Sequence, residues 1–167
     1  MPEKIRKPLS RSENMSRIRC KDTKPEFIIR RGLHAAGFRF RLHRRDLPGT
    51  PDLVLKRFNV AMFVHGCFWH AHSGCRNFKI PGTRTDFWKQ KLLGNRARDE
   101  TNIVNLLGMG WRVFVVWECA TRKKNAAELI QNITLWLQSP EKFGELSAQA
   151  EEIKTIIPEK REPRTIE

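Results

Sequence analysis

Apolar and polar positions along this chain change rhythm several times, and each change marks an element. Thr23-Lys24-Pro25-Glu26 reads as a capping box, with a threonine N-cap, an early proline and a glutamate three residues on. It predicts a helix through about Ala36, ended by Gly37, with Phe27, Ile29, Leu33 and Ala36 toward a core. Phe38 to His43 alternates apolar and basic residues, the pattern of a strand with one buried and one cationic face. The turn-rich Leu47-Pro48-Gly49-Thr50-Pro51 leads into a second strand at Asp52-Leu53-Val54-Leu55. Lys56 to Asn59 then turns the chain into a third strand, Val60 to Val64. Thr85 is expected to cap a helical stretch to Leu107, weakened near Gly94, with Phe87, Leu92, Ile103, Leu106 and Leu107 as its apolar positions; Gly108 and Gly110 end it. Trp111 to Trp117 is the clearest strand, and Asn125 caps a helix to about Gln138. The succession of helix, strands, helix, strand and helix predicts an α/β fold, a mixed central sheet flanked by helices. A marginal helix is expected around Glu145 to Ile157.

Composition divides the chain into three parts. Residues 1–22 are polar and basic with little periodicity, a flexible arm whose apolar residue of interest is Met15. Residues 23–138 hold the periodic elements, enough for one domain core. Residues 139–167 form an acidic tail, carrying seven acidic and five basic residues, whereas the whole chain is at +14. The body is therefore even more positive than the total, which favours a polyanionic partner bound in a salt-dependent way. No apolar run approaches the roughly 18 residues of a membrane span, and the charged start lacks an apolar signal segment. The expectation is a cytoplasmic protein, and in a reducing compartment four cysteines point to a metal rather than to disulfides.

The chemistry concentrates after the third strand. His65-Gly66-Cys67-Phe68-Trp69-His70-Ala71-His72-Ser73-Gly74-Cys75 packs metal ligands and two large aromatics into one loop. Cys67, His72, Cys75 and the strand-end Cys119 can build a tetrahedral zinc site, with His70 an alternative to His72 and Cys20 to Cys119. Phe68 and Trp69 sit where a loop displays them. Asp52, at the start of a strand, can hold Mg²⁺ against a phosphate, with the Val64 backbone carbonyl as a second ligand. His65 and His70 lie near enough in sequence to serve the same site, where a neutral imidazole accepts a proton from water near pH 7. Asp99 can orient one imidazole, and Glu26 can bind a metal-bound water. A zinc-stabilised DNA-binding module without catalysis would share the charge and the aromatics, and an RNA-binding protein would stack bases on the same rings.

These residues also fall into ordered blocks. Pro48-Gly49-x-Pro51-Asp52, His65-Gly66-Cys67-Phe68-Trp69-His70, Thr83-Arg84-Thr85-x-Phe87-Trp88, Asn95 with Arg98-Asp99, Gly110-Trp111-Arg112-Val113 and Val116-Trp117-Glu118-Cys119 together resemble the very-short-patch-repair mismatch endonucleases over about residues 11 to 138. The resemblance implies a restriction-endonuclease-like fold with a structural zinc. The implied activity is nicking of duplex DNA 5′ of the thymine in a T:G mismatch left by deamination of 5-methylcytosine. It implies magnesium on Asp52, His70 as the catalytic histidine with Asp99 beside it, and His65 and Glu26 at active-site positions. It places zinc on Cys67, His72, Cys75 and Cys119, intercalating side chains at Met15, Phe68 and Trp69, and a DNA-contacting aromatic at Trp88. The implied partners are mismatched double-stranded DNA and mismatch-repair proteins, and nicking one strand needs only a monomer. Two departures stand out: Val64 occupies a position where threonine is expected, and the zinc loop carries Ala71 and an extra residue around Ser73-Gly74.

Overall fold

The computed structural model describes residues 21–123 and 125–148. Met15 and Cys20 lie outside them. Helix α1 (Lys24–Ala35) starts at the expected capping box, with Thr23 accepting from the Glu26 N–H and Glu26 returning to the Thr23 N–H. Strands β1 (Arg41–Leu42), β2 (Leu53–Leu55) and β3 (Val60–His65) form an antiparallel meander. Helix α2 (Thr85–Gly108) crosses over to β4 (Arg112–Trp117), parallel to β3 with His65 opposite Trp117. Helices α3 (Glu118–Lys123) and α4 (Ala126–Gln138) lead to β5 (Phe143–Leu146), parallel to β4. The result is a five-stranded mixed sheet in the order β1-β2-β3-β4-β5 with helices on both faces, the α/β class expected.

The central strands are apolar throughout because both faces are covered. On one face Val60, Met62, Phe114 and Val116 pack with Ile29 and Leu33 of α1 and with Leu129 and Ile133 of α4. On the other, Ala61, Phe63, Val113 and Val115 meet Ile103 and Leu106 of α2 together with Cys67, Cys75 and Cys119. The sulfur cluster is thus an extension of one core layer. No described helix is long and apolar enough to cross a membrane.

Five local expectations are corrected. The strand expected over 38–43 pairs only at Arg41–Leu42, because Phe38 and Phe40 turn aside to pack against the core edge. In α1, Ile29 and Leu33 are buried, but Phe27 and Ala36 are exposed; buried Glu26 and Arg30 take the remaining inward positions. Thr85 is the first residue of α2 rather than its cap, its hydroxyl bonding the carbonyls of Pro81 and Gly82. Gly94 leaves α2 unbroken, since the residues on either side of it are anchored by buried Trp88, Leu92, Ile103 and Leu106. Phe143–Leu146 is a strand, which takes the first residues of the marginal helix expected around Glu145 to Ile157; residues 149–157 lie outside the described residues. A Cβ on Gly144 would stand 2.4 Å from the Trp136 Nε1 and 2.6 Å from the Phe114 ring, so the short Phe-Gly-Glu-Leu segment is held by its neighbours rather than by its own periodicity.

Candidate active site and metal centre

The loop after β3 coils on itself. His70 N–H donates to the Gly66 carbonyl, His72 N–H to Cys67 and Cys75 N–H to His72, with Ala71 and Gly74 in left-handed conformations at φ 48° and 72°. These turns bring Cys67, His72 and Cys75 round to Cys119 at the start of α3. The four donor atoms lie within 4.8 Å of one another, and all four residues are buried. Cys119 Sγ is 3.6 Å from His72 Nδ1 and accepts from the Ala148 N–H at 3.4 Å. A hydrogen bond from Cys67, helped by His72 and the Ala148 N–H, draws the Cys119 thiol down to about 4 despite its burial. Three buried sulfurs and an imidazole, one thiol among them favoured to ionise, make a donor set suited to a metal ion. The His72 ring is fixed by stacking on Trp117, centroids 4.0 Å apart and 4° from parallel.

Beside this cluster opens a cleft of about 710 Å³, lined among others by Glu26, His43, Asp52, Val64, His65 and His70. The antiparallel pairing of β2 and β3 sets Asp52 against the end of β3, where Asp52 Oδ2 accepts the Val64 N–H at 2.8 Å. Burial pushes the Asp52 carboxyl up to about 6 and the nearby Glu26 charge adds to this, while the Val64 N–H and the charges of Arg30 and His70 oppose it. A carboxylate so desolvated is poised to take a cation in place of a proton. Across the cleft His70 Nδ1 lies 2.5 Å from Asp99 Oδ2, so α2 supplies the carboxylate that orients the loop histidine. His65 stacks on His70 with centroids 3.9 Å apart and 2° between the planes. Burial, then the charges of His70 and His72, hold His65 well below the ordinary histidine range, so it meets His70 as a neutral ring.

Phe68, Trp69 and Trp88 form an aromatic group at the cleft's side, with centroids 5.1 to 6.1 Å apart. Phe68 and Trp69 are half-buried rather than fully displayed, and Trp88 is buried beneath them at 7% exposure. Asn95 anchors the group by donating to the Trp69 carbonyl at 3.0 Å. Glu26 reaches the cleft wall, but its oxygens already accept from Asp22 N–H, Thr23 N–H, the Thr23 hydroxyl and Arg30. It thus has little capacity left for a metal-bound water.

Three features escaped the sequence reading. Arg30 pairs with Glu26, and the signal was their spacing of four on one helix. Lys91 sits over the rings of Trp69, Phe87 and Trp88 at 5.7 to 5.9 Å, again at helical spacing from Trp88. Glu118, following β4, accepts the Cys67 N–H at 3.3 Å; nothing local pointed to that contact.

A mixed sheet with a half-buried aspartate just ahead of one strand, across a cleft from a histidine paired with a carboxylate, suits a nuclease of the restriction-endonuclease-like class. The family model described as DNA mismatch endonuclease Vsr matches residues 4–76. The DNA mismatch endonuclease Vsr of Escherichia coli is 41% identical over 131 residues, covering 77% of this chain and 83% of the relative. The type II nicking enzyme V.XorIIP of Xanthomonas oryzae pv. oryzae is 49% identical over 121 residues, covering 72% and 88%. The type II nicking enzyme V.NmeAIP of Neisseria meningitidis is 43% identical over 114 residues, covering 68% and 81%. The chain belongs to the Vsr family of DNA mismatch endonucleases, the family its motifs resemble.

Proposed function

We propose that this endonuclease nicks one strand of duplex DNA 5′ of the thymine in a T:G mismatch, using magnesium at Asp52 and the Val64 carbonyl. Cys67, His72, Cys75 and Cys119 would hold a zinc ion that ties the loop to the start of α3. Asp52 and the Val64 carbonyl would hold the magnesium, which would supply Lewis acidity against the charge that develops on the scissile phosphate. His70 takes the proton from the attacking water at Nε2, because Nδ1 is engaged with Asp99. Asp99 stabilises the imidazolium so formed, and stacked His65 keeps the ring plane from turning. Phe68 and Trp69, with Met15 of the arm as their companion, wedge into the base stack. A mismatched step opens more cheaply than a paired one, so the wedge favours mismatches. Trp88 acts from below, as the support of both rings.

The observation that carries this reading is the His70–Asp99 pair at 2.5 Å, in the same cleft as Asp52. The test is incubation with magnesium and end-labelled duplexes that differ in one pair, T:G against C:G, in several sequence contexts, with Asp52→Ala alongside. Nicking 5′ of the mismatched thymine, absent without magnesium and in the variant, is the expected result. Tight binding with no nicking in any context would leave a zinc-stabilised binding module.

A further inference from the structure

Asp22, Glu26 and His43 converge closely enough to suggest a second cation site, but a cation already lies among them. The Arg30 guanidinium is 2.5 Å from Asp22 Oδ1 and 2.5 Å from Glu26 Oε2, and its NH2 is 2.9 Å from His43 Nε2. Arg30 is only 8% exposed, and its Nε has no hydrogen-bond partner among the described residues. For stability alone, a buried guanidinium with an unpaired nitrogen is a poor choice beside an apolar side chain of similar volume. Its place is explained by what it holds.

A guanidinium has donors and no acceptor, so His43 Nε2 must accept from it, and the ring hydrogen resides on Nδ1. That Nδ1 faces Asp52 at 3.8 Å from Oδ1, the oxygen not engaged by Val64; the gap is too long for a direct hydrogen bond, so the ring acts on the carboxylate through its N–H dipole or a bridging water. The backbone is arranged to the same end. His43 continues the β1–β2 ladder one step, its N–H donating to the Asp52 carbonyl at 3.3 Å, which sets the two side chains on one face. His43 also takes a left-handed conformation at φ 48°, a cost that a histidine bears only where its surroundings impose it.

We infer that Arg30 and His43 are positioning residues of the nuclease site: Arg30, anchored by Glu26, fixes the His43 ring so that its Nδ1–H orients the Asp52 carboxylate toward the cation. Glu26 then serves Asp52 through this chain of contacts rather than through a water on the metal, in keeping with its four accepted hydrogen bonds. The inference rests on the reading of Asp52 as a cation ligand, and the test separates the two.

Mn²⁺ binding to the zinc-loaded full chain, without DNA, is followed by the paramagnetic resonance of the free ion in the parent, Asp52→Asn, His43→Leu and His43→Asn proteins. Asparagine can offer its amide N–H where Nδ1–H stood; leucine cannot. His43→Leu should weaken Mn²⁺ about tenfold, the scale of losing a partner that orients a metal ligand. It should also raise the magnesium concentration for half-maximal nicking by the same factor, while the rate at saturating magnesium changes little; His43→Asn should recover most of both losses. Parent-like affinity in His43→Leu, or His43→Asn as weak as His43→Leu, would overturn the inference while leaving Asp52 as a ligand. Undiminished Mn²⁺ binding in Asp52→Asn would instead remove the ligand reading, and this inference with it.

Discussion

The sulfur cluster and the cleft share one loop, yet they are built in opposite ways. Three of the four residues of the cluster come from nine consecutive positions, all four are buried, and their donor atoms lie within 4.8 Å of one another, a set that would hold a metal by strong, nearly local bonds. The cleft draws Asp52 from the bend just ahead of β2, Val64 from β3, His70 from the loop and Asp99 from α2, and His70 and Asp99 remain partly exposed. With a metal bound, the first would staple a polar loop in shape, and the second would depend on that shape for its geometry. Because His70 and His72 are two residues apart, a disturbance at the sulfur cluster should move the histidine proposed as the base. The reverse does not hold, so damage should propagate in one direction.

That asymmetry can be broken from either side. Asp52→Ala should lower magnesium-dependent nicking by about a thousandfold or more, the loss of several kcal/mol of transition-state stabilisation. It should leave zinc content and the thermal transition near those of the parent, as single-turnover assays, metal analysis and calorimetry would show. Cys119→Ser should do the opposite first. Zinc is lost, the protein loses several kcal/mol of stability, and activity falls because His70 no longer meets Asp99. Full zinc content in Cys119→Ser protein would refute the assigned ligand set.

A smaller effect sharpens the comparison through pH. The folded pKa of Asp52, about 6, lies above the ordinary 3.8, so the fold prefers the protonated carboxyl. Its stabilising contribution is complete below about pH 4 and is lost as pH rises through 6. Without magnesium, Asp52→Asn should therefore gain on the parent by up to about 3 kcal/mol between pH 4 and pH 7.5, read from denaturation midpoints across that range. A constant difference would mean that Asp52 is not desolvated. Magnesium should reverse the order at neutral pH, since it binds the ionised side chain. The smallest change is expected from Trp69→Ala, which keeps both metal sites. It should reduce the preference for T:G over C:G duplex by about tenfold, the scale of one stacking contact of 1–3 kcal/mol. Parent-like discrimination in competition nicking would remove Trp69 as a wedge.

The sequence by itself determined the features whose causes are local. The capping box of α1, the asparagine cap of α4, the doubly apolar strands β3 and β4 and the ligand-dense loop all follow from neighbours in the chain. The same holds for the clustering of Cys67, His72 and Cys75, although their meeting with Cys119 needed β4 to lie parallel beside β3. Only the tertiary structure decided what depends on distant partners. Gly144 makes a strand because Trp136 and Phe114 require its missing Cβ. Phe38 and Phe40 leave the sheet for the core edge, and Trp88 is covered rather than presented. Above all, His43 reads in sequence as one more basic residue of an alternating strand. It becomes a neighbour of Asp52 because a ladder hydrogen bond joins their backbones, and of Glu26 because Arg30 stands between them. Periodicity reports which face a residue occupies, whereas orientation toward a reacting centre is set by hydrogen bonds across elements that local pattern does not encode.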